Sequence, residues 1–191
     1  MLLGFFVAGF LAGIVFSAWK LDSNVGQGQA FFTGGGEHDQ QAALRTRIAE
    51  LEKRLASKPE DVDVLVQLGN DYFDLGHYAK AVGVYEKAVQ IDPRNADVIT
   101  DMGIGYRKLG KPEESVRAFQ KALDANPEHS MALFNLGIVL RDDLKDNVGA
   151  LKAWELFLKK AGDTPHAVMI RPWVKQLREK IGSGSIGGGT Q

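Results

Sequence analysis

Three prolines, Pro59, Pro93 and Pro127, stand 34 residues apart. A fixed period of that length means a chain built from stacked copies of one small unit. The residues between the prolines repeat with them. Leu65-x-x-Leu68-Gly69-x-x-Tyr72 is followed by Ala81-x-x-x-Tyr85 and Ala88. Ile99-x-x-Met102-Gly103-x-x-Tyr106 is followed by Ser115-x-x-x-Phe119 and Ala122. Leu133-x-x-Leu136-Gly137-x-x-Leu140 is followed by Ala150-x-x-x-Trp154, with one extra residue in the turn Asp142 to Asn147 and no closing proline in register. Apolar spacing of three and four gives each unit two amphipathic helices, a leading and a trailing one, joined by a short turn. Gly69, Gly103 and Gly137 carry no side chain, so the trailing helix can approach closely. Ala81, Ala88 and Ala122 are small for the reciprocal reason, and Tyr72, Tyr85, Tyr106, Phe119 and Trp154 fill the remaining volume. The prolines end each trailing helix and orient the next leading one. Gly76 and Gly110 fall in the turn within a unit, where they adopt positive φ easily.

On these residues the chain resembles the tetratricopeptide-repeat (TPR) family. The resemblance implies an all-α fold, a right-handed TPR α-solenoid with three repeats across residues 59–163. It also implies a peptide or protein ligand on the concave face of the leading helices. By spacing, the first leading helix offers Asp63, Val66, Gln67, Asn70, Phe73 and Asp74. The second offers Asp97, Thr100, Asp101, Ile104, Arg107 and Lys108, and the third Met131, Phe134, Asn135, Ile138 and Arg141. The candidate peptide-binding groove is Asp63, Val66, Asn70, Phe73, Asp97, Asp101, Ile104, Arg107, Phe134, Asn135 and Ile138. Apolar anchors mixed with aspartates suit a peptide with apolar and basic side chains, extended or helical. The competing reading is that some of these, Phe134 and Ile138 above all, pack against a capping helix. Some TPR domains resemble one another in a carboxylate clamp of Lys, Asn and Arg for acidic chaperone tails. The matching positions here are Val66, Asn70, Asp101, Met131 and Asn135. Only Asn70 fits, and Asp101 would repel a carboxylate.

The flanks complete the expected layout. Leu44, Ile48, Leu51 and Leu55 form one apolar stripe over residues 40–58, in register with Tyr78, Val82, Tyr85 and Val89 one period on. That predicts a half repeat that caps the solenoid, with a coiled-coil dimer as the competitor. Thr164-Pro165 starts a C-terminal capping helix over 164–182, with the stripe Ile170, Trp173, Leu177 and Ile181 and a kink or restart at Pro172. A Gly/Ser-rich tail, 183–191, is expected to be disordered. At the other end, residues 1–19 carry no charge and span roughly 28 Å as a helix, so they predict a transmembrane anchor with a bilayer as partner. Trp19 and Lys20 read as interfacial residues, and a cleavable signal peptide is the rival. Gly9-x-x-x-Gly13 gives a small-residue face suited to homodimer contact. Residues 20–39 read as a flexible Gly-rich linker. Sparse positive charge behind the anchor favours a single-pass protein of the inner (cytoplasmic) membrane with a periplasmic repeat domain.

Composition removes other functions. The net charge of −1 lacks the basic surface that nucleic acid requires. With no cysteine there is no disulfide framework or thiolate site. His38, His77, His129 and His166 fall in linkers and turns, read as surface histidines, and pair with no ligand at helical spacing, so neither a metal nor a cofactor is expected. No nucleophile elbow or nucleotide loop is present. The expectation is a non-enzymatic, membrane-anchored adaptor. The layout also resembles the membrane-tethered TPR subunits of the bacterial cytochrome c maturation haem lyase, through the Leu-Gly-x-x-Tyr first repeat and a late tryptophan at Trp154. That resemblance implies a periplasmic accessory that binds apocytochrome segments.

Overall fold

The computed structural model describes residues 35–186, which form eight α-helices, with no strand among them. They are α1 Gly35–Ser57, α2 Val62–Asp74, α3 Tyr78–Ile91, α4 Ala96–Lys108, α5 Pro112–Ala125, α6 Ser130–Ile138, α7 Asn147–Ala161 and α8 Pro165–Ile186. A π-helical turn, Val139–Asp143, extends α6. From α2 onward each helix packs on the next, which builds an α-solenoid with α2–α3, α4–α5 and α6–α7 as its three hairpins.

The hairpins close as the period predicts. A Cβ placed on Gly103 would lie 2.7 Å from the Phe119 ring, and Cβ atoms on Gly69 and Gly137 would collide with Tyr85 and Trp154. Glycine is thus required at all three positions by the ring of the trailing helix. Tyr85, Phe119 and Trp154 are all essentially buried. Ser115 replaces the small alanine at no cost, because its Oγ donates to the Gly103 carbonyl at 2.7 Å. The first two leading helices begin with side-chain caps: Asp61 accepts from the Val64 N–H and Asn95 from the Val98 N–H, each at 3.2 Å. Trailing helices α3 and α5 lack such caps and instead follow Gly76 and Gly110, at φ 75° and 70°.

The third hairpin deals with its extra residue inside the helix rather than in the turn. The Leu144 N–H reaches back to the Val139 carbonyl at 3.0 Å, an i−5 bond that widens one turn and absorbs the insertion. The turn geometry is then kept, with Lys145 at φ 59° in the place of Gly76 and Gly110.

Helix α1 lies on α2. Ile48 and Leu51 are buried in the main core, with Leu55 packed against it. Tyr72 donates its hydroxyl to Glu52, and Tyr106 donates to Glu86, the same bond one period later. Arg47 forms a two-pronged ion pair with Asp71, whose side chain is 2% exposed. At the other end Ala167, Ile170, Val174 and Leu177 of α8 form a second core cluster with Leu133, Phe134, Trp154 and Phe157.

Several expectations are corrected. Helix α1 starts at Gly35, inside the stretch expected to be linker, and α8 runs to Ile186, into the expected tail. Helix α8 also continues through Pro172 rather than restarting there. Pro172 is exposed, so the ring has room on the solvent side. Among the described residues no helix is long and apolar enough to cross a membrane. The longest, α1 and α8, carry Arg45, Arg47, Glu50 and Lys53 and, in the other, Arg171, Lys175, Arg178 and Lys180, which hydrocarbon does not accommodate. This finding overturns the assignment to the inner membrane with a periplasmic domain. The predicted span at 1–19, its bilayer contact and the Gly9/Gly13 pairing lie outside the described residues.

Candidate functional site

Between α2 and α4 opens a cleft of about 350 Å³, lined by Asn70, Phe73, Asp74, Tyr85, Asp101 and Ile104. The leading helices supply its walls because Asn70, Phe73 and Asp74 are neighbours on one face of α2, and Asp101 and Ile104 stand three apart on α4. Tyr85 reaches it from α3. Its ring is pinned under Gly69, and only its polar end meets the cleft, where the hydroxyl donates to Asn70 Oδ1 at 2.6 Å. Phe73 is half-buried and meets the Tyr78 ring edge-on at 5.1 Å between centroids. Phe73 and Ile104 thus give the cleft apolar flanks that rest on the core.

The electrostatics of the cleft are negative. Burial, and then the neighbouring Asp97, push the Asp101 carboxyl up to about 6. Burial and the charges of Asp101, Asp74 and Asp71 push the Tyr85 hydroxyl well above its ordinary range, so it stays a donor. Among the described residues no basic side chain lies within ion-pair distance of Asp74 or Asp101. Among the described residues, too, no three of His, Asp and Glu converge as a metal site.

The expected groove residues divide. Asn70, Phe73, Asp101 and Ile104 meet in the cleft. Asp63 is exposed and Val66 is half-buried against the core, both outside its lining. Asp97 is exposed, 3.8 Å from His129 Nε2. Arg107 is drawn to the π turn, where its Nε donates to Asp143 at 2.5 Å. Asn135 spends its amide on the Met131 carbonyl at 2.9 Å. Phe134 is a correction. It is 6% exposed, stacks on Phe157 and His166, and belongs to the core under α8. Ile138 packs against that same cluster.

Sequence reasoning missed two groups and dropped a third. Asp74, which spacing placed on the leading face but which was not kept among the candidate groove residues, lines the cleft, and so does Tyr85. Tyr85 was legible only as filler, since its hydroxyl finds the cleft through the closeness that Gly69 permits. His129, expected at the surface, is 13% exposed in its side chain and its Nε2 has no hydrogen-bond partner.

A stack of helical hairpins locked glycine against aromatic, with an open cleft between leading helices, defines a helical-repeat protein. The Tetratricopeptide repeat profile matches residues 62–95 and again residues 100–163. The chain belongs to the tetratricopeptide-repeat family. No curated protein matches it. Among solved structures, a crystal structure of MamA is similar at a TM-score of 0.61 and 20% identity, covering 81% of this chain and 99% of that one. The Sgt2 TPR domain from Aspergillus fumigatus is similar at 0.58 and 24% identity, covering 69% and 85%. The first TPR of Spaghetti (RPAP3), bound to the HSP90 peptide SRMEEVD, is similar at 0.57 and 24% identity, covering 63% and 93%. At these identities the likenesses establish the fold. The haem-lyase resemblance gains no support from them.

Proposed function

We propose that this chain is a protein-interaction module that catalyses no reaction and holds a segment of a partner protein in the cleft between its first two repeats. The observation that carries this reading is the cleft itself, where Phe73 and Ile104 offer apolar contact and Asn70 and Asp101 offer polar contact from two successive leading helices. That is the composition of a recognition pocket, apolar walls with a few placed polar groups. The similar RPAP3 domain holds a peptide, and this chain is read as using the same fold for a different ligand. An accessory role in cytochrome c maturation is a narrower version of the same activity, and no observation favours it.

The test is a photocrosslinking amino acid placed at Ile104 in the cleft or, as control, at the exposed Lys121 of α5. Discrete protein adducts from Ile104, absent from Lys121 and lost when Asn70 is also changed to Ala, are expected. Equal adducts from both positions would remove the cleft as the ligand site.

A further inference from the structure

We propose that the cleft receives one cationic side chain, a Lys or Arg of the partner segment, with its charged head between Asp74 and Asp101 and its aliphatic stem on Phe73 and Ile104. This rests on the reading of the cleft as the ligand site and names the chemistry it selects.

Charge complementarity carries the argument. Aspartates dominate the leading faces of the first two repeats, Arg47 and Arg107 are committed elsewhere, and Lys108 stands exposed at the last turn of α4. Arg47 is bound to Asp71. Arg107 is held by Asp143, with Asp142 at 3.9 Å. Asp101, half-buried, and Asp74, exposed at the rim, thus present charge with no ion-pair partner among the described residues to a cavity with apolar sides. A carboxylate that is partly buried without a counterion is costly in the free protein. A ligand cation lowers that cost on binding, while a ligand carboxylate raises it. At Asp101, which is half-buried, the attraction is also stronger than an exposed pair would give.

The polar rim fits a peptide as the carrier. Asn70 Oδ1 accepts the Tyr85 hydroxyl, which leaves the Asn70 amide hydrogens for a backbone carbonyl beside the cation. The apolar flanks suit the methylene stem of Lys or Arg, which packs on apolar surface while its head remains polar. At about 350 Å³ the cleft has room for a side chain and the backbone next to it rather than for a folded surface.

The experiment is selection of random twelve-residue peptides on the full chain at pH 7.5, alongside the Asp74→Asn/Asp101→Asn double variant. A pool enriched in Lys or Arg beside an apolar residue is expected from the native chain. The best peptide should weaken at least tenfold when its basic residue becomes norleucine. On the double variant, that same replacement should change affinity less than twofold, because the coupling is gone. Thermal melts confirm that the variant folds. Apolar enrichment without basic preference, or basic preference that survives in the double variant, overturns the cation site and leaves the cleft as a peptide site. Enrichment of acidic peptides overturns the charge assignment. Failure to enrich any peptide overturns both readings.

Discussion

The first two repeats and the third are copies of one hairpin, yet they spend their leading faces differently. In α2 and α4 the inner residues stay open and form a cleft with unpaired carboxylates. In α6 the corresponding residues are consumed. Ile138, one period on from Ile104, packs on the cluster beneath α8, and Arg141, two periods on from Phe73, lies over the Trp154 and Trp173 rings at 4.8 and 4.0 Å. The same architecture therefore yields a binding surface where no further helix covers it and a core where one does. The end of a solenoid needs a lid, and in this chain the lid occupies the third repeat.

The strongest way to break this contrast is Trp154→Ala. Trp154 is fully buried, fills the space that Gly137 leaves, and donates its indole N–H to the Phe134 carbonyl at 3.0 Å. Its loss should cost about 3–5 kcal/mol in urea unfolding. Hydrogen exchange should show α6–α8 opening well before α2–α4. Uniform opening of all repeats would mean that the two regions are one cooperative unit.

The next test concerns the other end. Asp71 is buried where the second repeat has Gly105 and the third has Val139, and among the described residues only the Arg47 side chain of α1 pairs with it. Arg47→Ala leaves that carboxylate without its partner. The arginine is 57% exposed, so the loss should be about 1–3 kcal/mol rather than that of a fully buried pair. Adding Asp71→Val, the residue of the third repeat, should recover most of it. Failure of the double variant to recover would show that Arg47 acts through packing on α2 instead.

How much of this was legible in the sequence follows from what sets each feature. The hairpins, their glycine–aromatic locks and the turns at Gly76 and Gly110 between leading and trailing helices are local and periodic, so a 34-residue comparison exposes them. The fate of Phe134 depends on α8, which lies outside the period, and spacing alone placed it in the groove. The π turn was hidden for a similar reason. An insertion in a helix and one in the following turn look identical as a count of residues. Arg47 breaks the small-residue pattern, which marks it as unusual, but its partner Asp71 shows no sign of burial in a sequence with no counterpart at Gly105 or Val139. The membrane assignment rested on residues 1–19 alone, and no described helix supports it.

A smaller effect sharpens the cleft. In Asp101→Asn the charge goes while the shape stays. Folding raises the carboxyl to about 6, so between about 4 and 6 the folded chain binds more protons than the unfolded one. The stability owed to this group therefore falls as pH rises through that window. The groups facing it are Asp97 on its own helix, Asp74 on α2 and Tyr85 on α3, with His129 beyond Asp97. The variant should be more stable than the native chain at pH 7.5 by about 1–2 kcal/mol, a figure reduced for partial solvent exposure. The gain should vanish near pH 4, as paired urea titrations would show. A variant that is less stable at neutral pH would place a stabilising partner on Asp101.

The smallest effect lies in the turns, where the repeats solve one geometric problem with different residues. Gly76 and Gly110 adopt positive φ freely, and no neighbour crowds either position. Lys145 holds φ 59° with a side chain attached, partly repaid by its Nζ donating to the Asp142 carbonyl at 2.6 Å. Gly76→Ala should therefore cost about 1 kcal/mol through left-handed strain alone. Lys145→Gly relieves that strain but loses an exposed hydrogen bond and frees the unfolded chain, so the net change should stay within about 0.5 kcal/mol. Opposite outcomes, a tolerated Gly76→Ala and a costly Lys145→Gly, would mean that the Lys145 contact, rather than backbone freedom, sets the third turn. The wide π turn before it would then be held by that side chain as much as by the inserted residue.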